Sequence, residues 1–340
     1  MKIVSYILLT SVIAIASISK DGIEKRLAMN DQKEQVELFV NDSLPGKSLK
    51  QHSFLYAGEW QNSSFKDQKM CVVKDGKIVW TYTMPQEGEY GDATMLSNGN
   101  IIFSRFHGAS EIDRNQKVVW NYEAPANSEI HTCQPLGLER VFLMLNSVPA
   151  KAIILNKSTN QIEKELIIPT AGIKTHTMFR HCRYTKDGTF LIAQMDMNKV
   201  NEYDENGKVI WSVDVLSPWA AIRLKNGNTL ISGNSHGYVR EVNNSGNIVW
   251  ELSQKDIPNI KIYTVQQACR LANGNTIFAN WTGGKLSKED ESKTAQIIEV
   301  TKDKKVVWVL SQWDNPNLSR ASSLQILDEK GKAEKGDFQR

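Results

Sequence analysis

The chain has 340 residues, 41% of them hydrophobic and 23% charged, with a formal net charge of +3. That is ample apolar material for a large core. The scattered, balanced charge excludes a nucleic-acid-binding surface. Nine Trp, nine Tyr and 21 Gly against nine Pro exclude a disordered chain and suit many strands joined by tight turns.

Residues 1–16 read as a signal peptide. Lys2 gives a positive start, Ile3 to Ile15 an apolar run, and Ala14-Ile15-Ala16 a small-x-small cleavage site. The run is too short to cross a bilayer comfortably. The expectation is a secreted or periplasmic protein whose mature chain has no transmembrane segment. Residues 17–50 are polar and charged, with a weak apolar periodicity at Val36, Leu38, Phe39 and Val40, and read as a polar spacer or partial helix.

From residue 51 to 328 a repeat takes over. One half of it is a polar turn, two β-branched residues and tryptophan, as in Asp75-Gly76-Lys77-Ile78-Val79-Trp80. Copies end at Trp120, Trp211, Trp250 and Trp308, and Asn160-Gln161-Ile162-Glu163-Lys164 is a degenerate sixth. The other half is a strand, an Asn-Gly or Asp-Gly turn and a second strand, as in Leu96-Ser97-Asn98-Gly99-Asn100-Ile101-Ile102-Phe103. Such turns need positive φ at both central residues and are a strong hairpin signal. Each unit therefore reads as four antiparallel strands, a to d, of a propeller blade.

The first unit offers only strands b to d, beginning at Phe54-Leu55-Tyr56-Ala57. Its strand a stands at the opposite end of the chain, Ala321 to Leu327. The expectation is an all-β, six-bladed propeller closed by that C-terminal strand, with residues 329–340 a frayed charged tail. Each Trp packs blade against blade. Cys133, Cys182 and Cys269 fall at similar positions of different inner strands, too far apart for disulfides.

The Gly-Lys-x-β-Trp ending resembles the repeat of the pyrroloquinoline-quinone (PQQ)-like propellers, and six exported blades resemble their arylsulfotransferase-like branch. The resemblance implies a histidine nucleophile at the channel mouth, with neighbouring His and Arg holding the anionic group. PQQ itself is not expected, because the chain has no adjacent Cys pair and no calcium-loop pattern.

Strand order puts the a–b and c–d turns on one face, and the b–c loops and d-to-a connections on the other. The second face gathers His131 and His181, the two candidates for catalysis. It also gathers candidate ligand-binding residues: Asp92, Arg105, His107, Arg180, Trp219, Asn234, His236, Gln266, Gln267 and Trp281. Tyr90, Glu59, Trp60, His176 and Arg320 fall near them, while His52 lies elsewhere.

Two readings of this face follow. In the first, the protein grips a glycan, peptide or other cell-surface ligand without chemistry, Trp stacking on sugar faces and amides bonding hydroxyls. In the second, it is a histidine-dependent enzyme, either an arylsulfotransferase-like transferase or a metal-assisted lyase or hydrolase. The first ranks ahead because no nucleophile–base–orienter set is visible. No cofactor is predicted, although a transition metal could sit on the His-rich face. A monomer that binds no nucleic acid is expected.

Overall fold

The computed structural model describes residues 44, 46, 48–59, 67–85, 89–172, 174–233, 237–283 and 286–337. The signal-peptide reading, nearly all of the spacer, and Trp60, Asn234 and His236 lie outside them. Chain contacts divide the protein after Glu37, and everything described belongs to the part from Leu38 onward.

Among the described residues, twenty-four strands form six four-stranded antiparallel sheets, each a blade. Blade 1 is ordered Arg320–Ile326, Phe54–Glu59, Asp67–Lys74, Lys77–Pro85 from the inside outward, so the last strand of the chain completes the first sheet. The inner strands of blades 2 to 6 are Tyr90–Met95, Glu129–Leu136, Arg183–Tyr184, Pro218–Arg223 and Thr264–Arg270. In the Asn-Gly and Asp-Gly turns between strands a and b only the glycine takes positive φ, 86° at both Gly99 and Gly227, while the preceding Asn or Asp does not, so a single left-handed glycine closes each hairpin.

The repeated Trp is an inter-blade clamp. Trp80, Trp211 and Trp250 donate their indole N–H to carbonyls of the next blade's c–d turn, at Arg114 (3.1 Å), Asn244 (2.9 Å) and Lys302 (2.7 Å). Trp120 reaches the Asn160 side chain instead, at 2.8 Å. In the degenerate copy, Lys164 takes the Trp position and pairs with Glu205 at 3.3 Å. At the closure Trp308 donates to Ser48 O at 3.2 Å, so residues just before blade 1 complete the circle.

A second seam runs inside the first. Glu202 and Glu241 each accept from an Arg of the next blade, Arg223 and Arg270, and each Arg stacks 5.0 Å over the preceding blade's Trp. At the closure His52 takes the place of the Arg. It bonds Glu299 at 2.9 Å and Asp328 at 3.1 Å and lies edge-on to Trp308 at 5.3 Å. Burial acts to lower its pKa, but the bonds to Glu299 and Asp328 outweigh burial and raise it. A raised folded pKa means that this latch is fully made below about pH 6.5, the unfolded value, and is lost as pH rises through the folded one. His52→Arg is therefore expected to flatten the fall in melting temperature between neutral and mildly alkaline pH. A pH series of thermal melts on both proteins checks this.

The described part of the C-terminal segment, residues 329–337, is packed against the blades where composition suggests fraying. Gly137 N–H donates to Glu334 O at 2.8 Å, the Glu334 carboxylate accepts from Ser97, and Ala272 N–H reaches Glu329 at 2.9 Å. Ser97, Gly137 and Ala272 all belong to a–b turns. The segment thus covers part of the turn face and borders an axial cavity of about 100 Å³, whose lining includes Asp92 and Arg183. All four cysteines are free thiols.

Candidate functional site

At the opposite end of the channel the inner strands share a local fault. The pairing of strands a and b skips one residue in five blades, at Gly91-Asp92, His131, Trp219, Gln266 and Ser322. Such β-bulges bend a strand and re-aim a side chain. His131, Trp219 and Gln266 each stand two positions before a small residue (Cys133, Ala221, Ala268) that lets the inner strands crowd together, and Asp92 stands one before Ala93. Gly91 makes this closeness feasible, since a Cβ there would lie 2.2 Å from His131 O. Blade 4 goes further. His181 leaves its own sheet and bridges in parallel to Ala220, its backbone N–H donating to Trp219 O at 3.1 Å.

Three histidines in this region have different environments. His131 is buried, with Nε2 3.0 Å from Glu129 and Nδ1 3.2 Å from Glu89. His176 donates from Nδ1 to Glu129 at 2.9 Å, and its Nε2 accepts from Arg180 at 2.8 Å. His181 donates from Nδ1 to Asp92 at 2.6 Å, and its Nε2 has no partner among the described residues. Burial lowers the His181 pKa in spite of Asp92. It is thus a neutral imidazole, oriented by a carboxylate, with one lone pair available. Among the described histidines of the mouth, that combination suits His181 alone to attack an electrophile or take a proton.

Asp92 is the hub beneath it. Its oxygens bind Arg183 in a fork at 2.7 and 2.8 Å, and Oδ2 also accepts from Cys133 N–H at 3.0 Å. Burial works against its ionisation, but Arg183 and then His181 hold the carboxyl well below its usual range.

Above lie two carboxylates with opposite tendencies. Burial resists ionisation of Glu89, yet Arg180, with His131 and His176, brings it down to about 2. Burial and the Glu89 charge push Glu59 up to about 7 against the pull of Arg320. Paired groups driven apart in this way suit acid–base work near neutral pH.

Around them are buried donors without a hydrogen bond, namely Arg180 Nε, Arg320 Nη1, the Trp219 indole N–H and the Tyr263 hydroxyl, while Arg180 Nη1 lies 3.5 Å from Glu89 and the Trp281 indole faces Glu59. Arg180 lies 5.0 Å over the Trp219 ring, and Trp219 is 6.1 Å from Trp281. Buried polar groups are normally paired, so unpaired donors call for an acceptor-rich partner. A tetrahedral oxyanion on an aromatic body meets that description.

Other predicted residues land elsewhere. Arg105 turns across its own blade to Ser110, Asn121 and Glu123. Gln267 accepts from Ser323 and Leu324 of the next inner strand, a structural tie. Tyr90 is a core residue packed edge-on to Phe103. His107 is exposed against Phe106, and Gln266 is buried at its bulge. Glu89, Glu129, Tyr263 and Glu291 were not anticipated; the last holds Arg320 at 3.0 Å. Glu129 had one signal, its place two residues before His131.

Fold and mouth together define a six-bladed propeller with a histidine–arginine site at one end of its channel. Residues 175–337, just under half of the chain, match the arylsulfotransferase (ASST) family model, so this part of the propeller is similar to that family. The matched span holds His176, Arg180 and His181, and leaves out Glu89 and His131. A crystal structure of a protein of unknown function from Bacteroides caccae is similar at a TM-score of 0.70 and 25% identity, over 80% of this chain and 98% of that one. A catalytically inactive virginiamycin B lyase from Staphylococcus aureus, with quinupristin, reaches 0.52 at 14% identity, over 76% and 89%. A streptogramin B lyase reaches 0.50 at 14%, over 75% and 86%. The two lyases share the fold alone. No curated protein matches the chain.

Proposed function

We propose that this chain is an exported enzyme that binds an aromatic ester of a tetrahedral oxyanion, such as an aryl sulfate, and transfers its sulfuryl group by way of His181. The observation that carries this reading is the Asp92–His181 pair with Nε2 left free, set beside the buried Arg180 guanidinium, whose Nε makes no hydrogen bond. Trp219 and Trp281 supply a wall for the aromatic ring. In the first step the Nε2 lone pair attacks sulfur, the sulfur–oxygen bond to the aryl group breaks, and the phenolate leaves with the electron pair. Glu59, with its pKa near 7, is suited to give the phenolate a proton. In the second step an acceptor hydroxyl attacks the sulfur, returns its proton to Glu59 and frees the imidazole.

The binding reading keeps one supporting observation, that the His181 side chain is only 2% exposed. One experiment separates the two. With nitrophenyl sulfate as donor and phenol as acceptor, transfer predicts acceptor-dependent nitrophenol release and a protein one sulfuryl group heavier when the acceptor is left out. His181→Gln, which keeps a donor for Asp92, should reduce both to background. Saturable donor binding with neither turnover nor mass change would overturn transfer in favour of recognition. The absence of binding would overturn both.

A further inference from the structure

We propose that Glu89, His131 and His176 form a binding site for a divalent first-row transition metal ion of the Zn2+ type. The inference is independent of sulfuryl transfer.

The argument starts from Glu129. One oxygen, Oε2, faces a ring nitrogen of each histidine, His131 Nε2 at 3.0 Å and His176 Nδ1 at 2.9 Å. A carboxylate there accepts an N–H from each ring and so fixes both tautomers. The lone pairs are then left on His131 Nδ1 and His176 Nε2. Metal-ligating histidines are held in this way, the far nitrogen donating to an outer carboxylate while the near one binds the ion.

The two free nitrogens converge on Glu89. One ligand atom from each of the three residues lies within 4.8 Å of the other two. His131 Nδ1 and Glu89 Oε1 are already 3.2 Å apart, the spacing of neighbouring ligands around an ion with bonds of about 2.1 Å. His131 is 1% exposed and its Nδ1 makes no hydrogen bond. At that distance either a proton or a metal ion joins the two, and the convergence of a third ligand residue, His176, on the same point suits the ion. Two imidazoles and a carboxylate suit Zn2+, Fe2+, Co2+ or Mn2+ and leave positions open.

The present neighbour supports the same conclusion. The Arg180 guanidinium spans the remaining two ligands, with Nη2 2.8 Å from His176 Nε2 and Nη1 3.5 Å from Glu89 Oε1. It is a cation at the edge of a cation site, bonded to the lone pair that the ion would take. Metal entry therefore displaces Arg180 from His176 and releases its donors toward the mouth.

The test is a titration of the chelator-stripped protein with Co2+, read by its visible absorption without any substrate. The expected result is one equivalent bound, with a band that Zn2+ abolishes by competition. His176→Ala, at a half-exposed position, and Glu89→Gln should remove the band while far-ultraviolet circular dichroism stays unchanged. Glu129→Gln should weaken binding by about 10–100-fold, and Arg180→Ala should strengthen it. Absence of saturable Co2+ binding would overturn the proposal, as would binding that survives both His176→Ala and Glu89→Gln. Neither result bears on the sulfuryl-transfer assay, so the two readings fail separately.

Discussion

Replacing Asp92 with Ala is expected to destabilise the protein by about 3–5 kcal/mol and to abolish any chemistry that depends on His181. The size follows from what the carboxylate holds. It closes a fork with Arg183, orients His181 and caps Cys133 N–H, so it ties the inner strands of blades 2, 3 and 4. Removing it leaves a buried guanidinium without a counter-ion and a buried amide without an acceptor, and each carries its desolvation cost. Asp92→Asn keeps the shape and part of the hydrogen bonding but not the charge, so it should fall between Ala and the parent in denaturant midpoint. His181→Gln leaves the Asp92–Arg183 fork intact and should lose far less stability. Activity should fall in all three variants, so stability against activity separates the hub from the imidazole it orients.

The same carboxylates set the acid limit. Asp92, Glu89 and Glu129 are all depressed. A depressed folded pKa gives stability that is present above the unfolded value and is lost as pH falls through the folded one. The mouth should therefore hold down to about pH 4 and fail progressively toward pH 2.

Why some of this was visible in the sequence and some was not has a physical basis. The blades were legible because their signals are local. An Asn-Gly turn declares a hairpin through φ, and the Trp recurs at a fixed distance from a Gly-Lys turn. His131, Arg180 and Trp219 were legible because each stands two residues before a small inner-strand residue, and at His131 and Trp219 that is where the bulge falls. The pairing of His181 with Asp92 joins residues 89 apart in sequence, and no local pattern encodes which blade-2 residue meets a blade-4 histidine. Glu89 stood in a connection with nothing to mark it. Arg105 had the right address at the end of strand b but not the right direction, since its side chain lies back across its own sheet. The last residues read as frayed by composition, whereas Glu334 is buried by turns from other blades.

Deleting residues 320–340 is expected to abolish cooperative folding, the largest effect of any change considered. The strand Phe54–Glu59 is buried along its whole length and pairs with the C-terminal strand from Phe54–Ile326 to Glu59–Arg320. Without it, blade 1 presents a long apolar edge, a template for aggregation. The loss also removes the Gln325 contacts with Met95 and the Arg320–Glu291 pair. Deleting only residues 329–340 takes away the segment over the turn face and spares the strand, so it should lower the melting temperature modestly and open the axial cavity. A permuted chain decides whether strand chemistry or chain position matters. Leu327 N–H donates to Ser53 O at 2.7 Å and Ser53 N–H to Asp328 at 2.7 Å, so the two ends already form the sides of a hairpin. Moving residues 318–328 ahead of residue 51 through a short Asn-Gly linker should restore a cooperative melt. If the permuted protein stays unfolded while the parent melts cooperatively, closure depends on more than pairing of these two strands.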